Sequence, residues 1–110
     1  MAGEPSFIEL GVPDAGRAGR FYSGLFGWPV EAMGGGGIAH TGSMDIGIHG
    51  DDRAALLEVF FSVDDLEASM ARVTELGGAV AGEVNDSGDF GRWVECDDDQ
   101  GVRFGLRQAR

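Results

Sequence analysis

One cysteine stands in 110 residues, Cys96, so no intrachain disulfide can form and a reducing compartment suits the chain. Basic residues are scarce, 8 against 19 acidic ones, for a formal net charge of −11. That balance repels phosphate backbones. Arg103, Arg107 and Arg110 near the C-terminus are too few to make a basic patch, so nucleic acid is not an expected partner. There is no long apolar run and no basic-then-apolar opening segment, so neither a membrane span nor a secretory leader is expected, and the cytoplasm is the default location. With 43% hydrophobic residues the chain can build one globular interior, and its length leaves no room for a second. The acidity serves solubility and would also favour a cationic ligand.

What is present is a repetition. A strand at 6–12 leads to Asp14 and a helix over 14–26 that closes at Gly27. A strand at 55–63 leads to Asp64-Asp65 and a helix over 65–76 that closes at Gly77-Gly78. Setting Asp14 on Asp65 also sets Val12 on Val63, Leu25 on Leu76 and Gly27 on Gly78, which reads as a duplicated βα unit. Each aspartate stands where its carboxylate can accept from the free N–H groups of a first helical turn, and each glycine where a left-handed stop is needed.

Along the first strand Ile8, Leu10 and Val12 point one way, and Phe7, Glu9 and Gly11 the other. Phe21 and Leu25, with Ala18, form the expected apolar stripe of the first helix; Leu66, Met70, Val73 and Leu76 form that of the second. Gly34 to Gly37 is expected to be a turn or loop. Further strands are expected from Trp28 onward and over 38–41, 44–49, 79–84, 91–96 and 102–106, eight in all. The pattern is βαβββ, twice, an α+β chain of two modules at about 5–50 and 55–108, joined by a charged connection over 50–54.

This order, with Gly-Val-Pro-Asp at 11–14, Phe-Tyr-Ser-Gly-Leu-Phe-Gly-Trp at 21–28 and Asp-Asp-Gln-Gly-Val-Arg-Phe-Gly-Leu at 98–106, resembles the vicinal oxygen chelate superfamily. That group comprises glyoxalase I, bleomycin-resistance proteins and extradiol dioxygenases. The resemblance implies mixed sheets curved around a cleft, with a divalent metal held by side chains of the first and last strands of each module. The matching positions here are Phe7, Glu58, Gly47 and Gly105, of which Glu58 alone could bind a metal. One carboxylate is short of the three protein ligands such sites need, so no metal and no other cofactor is expected, and the two glycines should widen the cleft.

His40, His49, Asp45 and Glu9 are the other candidates for polar chemistry. Strand parity puts Asp45 and His49 on the side of Gly47, with Ile46 and Ile48 toward the helix. Cys96 should pack toward the helix as a small apolar group. The expected ligand-binding lining is Phe7, Glu9, His49, Glu58, Phe60, Trp93 and Arg103, aromatic walls with a few charged groups. These residues point to a metal-independent protein, homodimeric, that sequesters an aromatic or cationic small molecule such as an antibiotic in a cleft lined by both modules. Two alternatives stand beside it. One is an enzyme of the same superfamily, either a metal-dependent lyase or dioxygenase or a metal-free catalyst using Glu58 as a base. The other is an interaction module that uses this face to dimerise.

Overall fold

A computed structural model describes residues 3–53 and 55–110; Ala54, in the connection expected over 50–54, lies outside the described residues. Contacts group the chain into two compact units, Phe7–Glu58 and Val59–Arg110 together with residues 3–6. The first module runs β1 (Pro5–Gly11), α1 (Ala15–Phe26), β2 (Val30–Met33), β3 (Gly36–His40) and β4 (Asp45–His49). Its strand order is β2-β3-β4-β1, with β1 and β4 parallel and the other pairs antiparallel. The second runs β5 (Leu56–Ser62), α2 (Leu66–Glu75), β6 (Ala79–Val80), β7 (Asn85–Asp86), a 3-10 turn (Gly88–Phe90), β8 (Arg92–Asp97) and β9 (Arg103–Gln108). Its order is β5-β9-β8-β6, β7 also pairing with β8, and again the strand before the helix runs parallel to the last strand. The α+β, twice-βαβββ expectation is met.

The repetition extends to the caps. Asp14 accepts from Arg17 N and Asp65 from Ala68 N, both at 3.0 Å, from nearly identical extended backbones. Each carboxylate satisfies one N–H that the first turn leaves without a partner. Gly27 closes α1 at φ 75°, as expected. The left-handed residue after α2 is Gly77, at φ 94°, one position earlier than the alignment with Gly78 implied.

Two helix faces differ from the expected stripes. Ala15, Ala18 and Tyr22 pack α1 onto Leu10, Ala39, Ile46 and Ile48, whereas Phe21 and Leu25 are each more than half exposed. Tyr22 stacks on Trp28, centroids 5.8 Å apart and planes 10° from parallel, and this pairing turns the helix so that its larger apolar residues face outward. In α2, Leu66, Met70 and Val73 meet the core of Val94, Cys96 and Leu106, but Leu76 is exposed beyond the last turn.

The glycine run is half turn and half strand. Gly34 and Gly35 form a two-residue hairpin, while Gly36 and Gly37 pair with β4. A Cβ on Gly36 would collide with the Ile48 carbonyl oxygen, so glycine at 36 permits close backbone approach. The count of nine strands instead of eight has a local cause. Between the pairs Val80–Cys96 and Asn85–Trp93, five steps of one strand face three of the other, so the strand expected over 79–84 is cut to β6 at its start, and pairing resumes beyond its expected end as β7.

Replacing either cap, Asp14→Ala or Asp65→Ala, should cost about 0.5–2 kcal/mol of unfolding free energy. Urea titration checks this; a loss below the lower figure at both positions would mean that the caps do not hold these helices.

Candidate functional site

On the sheet face turned away from the helix, each module places a glycine in the middle of its last strand, and side chains of the strand beside it fill the space. In the first module Glu9 pairs with Gly47 and Gly11 with His49. A Cβ on Gly47 would lie 2.5 Å from Glu9 Oε2 and 2.6 Å from Phe7 Cζ. In the second module Phe60 pairs with Gly105, and a Cβ there would collide with three atoms of the Phe60 ring. The glycines therefore do not widen a cleft, as the sequence suggested. They are the floor on which neighbouring side chains lie.

His49 joins the first of these arrangements. Its Nδ1 is 2.7 Å from Glu9 Oε1 and its Nε2 is 3.0 Å from Asp52 Oδ2. Ionised carboxylates accept and do not donate, so meeting one at each nitrogen favours the doubly protonated imidazole. The bond to Glu9 first, then that to Asp52, raises its pKa above the ordinary histidine value. A ring with both nitrogens donating is a charge bridge, not a general base. Gly11 makes room for it, since a Cβ there would sit 2.5 Å from Asp52 Oδ2 and 2.7 Å from His49 Nε2. His40 is similarly paired at the exposed edge, 2.9 Å from Asp45 and 3.7 Å from Glu31. The cross-strand pairing of His40 with Asp45 fixes the parity that the sequence left open.

The second module's face is aromatic. Phe60, buried, meets Phe90 and Trp93 edge-on at 6.2 and 5.7 Å. Arg107 lies with its guanidinium 4.0 Å above the Phe90 ring, and its Nε donates to the Phe90 carbonyl at 2.8 Å. Trp93 Nε1 donates to Ser87 Oγ at 2.9 Å, which ties the 85–91 segment to β8. Trp93 is half-buried and rests edge-on against Phe60.

Of the expected lining residues, Phe7, Glu9 and His49 come together in the first module and Phe60 and Trp93 in the second. Glu58 is buried at 4% exposure. Arg103, half exposed, is 2.7 Å from Asp97 and 4.0 Å from Glu95. Sequence reasoning missed Asp52, Phe90 and Arg107. Arg107 was within reach of it, because Gly105 and Arg107 share strand parity; Asp52 and Phe90 sit in loops, where parity has no meaning. Cys96 is fully buried, as expected, and burial pushes its thiol pKa up, away from nucleophilic use.

The donor set does not fit a divalent metal. Phe7, Gly47 and Gly105 supply no ligand atom, and the space a longer side chain would need at either glycine is taken. Among the described residues no three His, Cys, Asp or Glu side chains are grouped as metal ligands. Among the described residues no helix is long and apolar enough to cross a membrane.

Comparison with known proteins agrees with this architecture. Residues 7–106 match the profile of a family described as a glyoxalase-like domain. The chain is 30% identical over 124 aligned positions to CFP32 of Mycobacterium tuberculosis, covering 97% of this chain and 46% of that protein. It is also 30% identical over 127 positions to the anthracycline biosynthesis protein DnrV of Streptomyces peucetius, covering 94% of this chain and again 46% of the relative. The chain thus spans about half the length of these curated relatives. Among solved structures, methylmalonyl-CoA epimerase from Mycobacterium tuberculosis shares the fold, with a TM-score of 0.72 at 16% identity over 99% of this chain and 89% of that one.

Two predictions follow from the geometry. Gly105→Ala should destabilise the protein by about 1–3 kcal/mol through overpacking against Phe60, and much less in a Phe60→Ala background. A double-mutant cycle by urea unfolding reads the coupling; equal costs in both backgrounds would refute it. The bridge of His49 should also be pH-dependent. A folded pKa raised above about 6.5 gives stability that is complete below that value and lost as pH rises through the folded pKa. The melting-temperature deficit of His49→Gln should be larger at about pH 6 than at about pH 9. A deficit independent of pH, or one matched by His40→Gln, would show that this bridge contributes nothing specific.

Proposed function

The chain belongs to the glyoxalase-like domain family, and on that premise we propose that it is a metal-independent small-molecule binding protein that sequesters an aromatic or cationic ligand, such as a natural-product antibiotic. The observation that carries this reading is that rings stand where metal ligands would be needed. Phe7 covers Gly47, Phe60 covers Gly105, and the half-buried Trp93 is propped on Phe60 with its indole N–H already satisfied. A half-buried indole packed on another ring is suited to contacting a flat ligand and supplies no acid, base or Lewis acid to transform it. The first module's face bears two carboxylates to one imidazolium, an excess of negative charge that would attract a cation. A relative named for anthracycline biosynthesis supports a natural-product ligand.

The same reading has the protein act as a cytoplasmic homodimer. What supports dimerisation is the outward face of α1, where Phe21 and Leu25 are 62% and 59% exposed in a small domain.

The test is a titration with an anthracycline, paired with a thermal melt. Trp93→Ala should weaken binding by about 0.5–1.5 kcal/mol beyond lost area, roughly two- to tenfold, while the protein stays folded. A lowered melting temperature with unchanged affinity would make Trp93 a packing residue and end the proposal. Elemental analysis giving about one equivalent of a divalent metal, lost on Glu58→Ala, would replace it with a metal-dependent enzyme.

A further inference from the structure

The duplication supplies an internal control for how well each helix is packed on its sheet. With Asp14 set on Asp65, Ala15 corresponds to Leu66 and Gly19 to Met70. With Gly47 set on Gly105, strand register makes Ala39 correspond to Cys96 and Gly37 to Val94. At all four positions the first module carries the smaller residue. In the second module Leu66, Val94 and Cys96 are completely buried. There, one open space of about 350 Å³ lies at the C-terminal end of α2, beside Val73, Leu76 and Phe104. In the first module, besides a wide opening of about 720 Å³ around Arg17, Arg20 and Phe21, two cavities lie where the smaller residues stand. One, about 440 Å³ and open, is bordered by Ala15, Gly19 and Gly37. The other, about 210 Å³ and more enclosed, has Leu10, Ala39, Ile46 and Ile48 as its floor, Tyr22 and Trp28 as a wall, and Leu57 at its rim.

We propose that this second cavity is a binding site for a small, flat, uncharged aromatic ligand, separate from the face that carries Trp93. None of its lining residues is charged, and the Tyr22 hydroxyl and Trp28 indole N–H are the polar side-chain atoms it offers. An ion or a strongly hydrated ligand would lose its water there without recompense. The Tyr22 and Trp28 rings stack nearly parallel, 5.8 Å between centroids, so a flat ligand can align with the planes of both. Size sets the class further. An apolar cavity of roughly 150 Å³ holds benzene, so 210 Å³ suits one ring with a substituent or two fused rings. Leu57 is 67% exposed at the rim, so the site opens to solvent and needs no unfolding to fill.

The probe is toluene, followed by methyl NMR on the full chain. The Leu10, Ile46, Ile48 and Leu57 methyl signals should shift saturably, with those of Leu66, Val94 and Leu106 unmoved as the control. Binding should persist in Trp93→Ala, which separates this site from the one proposed above. Ala39→Leu, which fills the floor, should abolish the shifts. Should that variant fail to fold, Leu57→Asp at the exposed rim should weaken toluene by about tenfold. Shifts that grow linearly without saturating, or that appear equally in both modules, would overturn the proposal. So would toluene binding that disappears as light scattering reports a dimer, since the occupant would then be a second copy of the chain.

Discussion

Two glycines without a Cβ, Gly47 and Gly105, decide what the sheet faces of this protein can do. Each lies in the middle of its module's last strand, opposite a residue of the parallel strand beside it. A side chain at either position would occupy the volume now held by Phe7 and Glu9, or by Phe60. With that volume free, the neighbouring side chains lie down across the strand instead of standing up from it. His49 then meets Glu9 laterally, and the ring of Phe60 becomes a platform for Trp93 and Phe90.

The opposite sides of the same sheets show how one architecture can be filled to different degrees. Leu66, Met70, Val94 and Cys96 close the space under α2, while Ala15, Gly19, Gly37 and Ala39 leave it open beside α1. Tyr22 compensates in part by stacking on Trp28, and the cost is that Phe21 and Leu25 turn to solvent. Close-packed interiors do not tolerate empty volume without loss of contact energy, so an underfilled interface in so small a unit is a cost that an occupant would offset.

The duplicated βα units, their aspartate caps, the inward alternation of Ile8, Leu10, Val12, Ile46 and Ile48, and the burial of Cys96 were legible in the sequence. All depend on short-range rules: a period of two along a strand and a side chain three residues from the amide it caps. The face of α1 was read wrongly because a stripe through Phe21 and Leu25 and one through Ala15, Ala18 and Tyr22 are both helical in spacing, and the choice belongs to Trp28 beyond the helix. Likewise 79–84 has the composition of one strand, but the mismatch in length against β8 breaks it.

The sequence by itself determined the family, the α+β order of elements and which residues could not be metal ligands, because identity and local periodicity are written in the chain. Tertiary structure alone decided that Asp52 reaches His49, that Arg107 lies on the aromatic cluster, and that the glycines are covered rather than open. Those outcomes turn on strand register and loop placement, which pair residues as much as 45 positions apart and follow from the whole packing of each module.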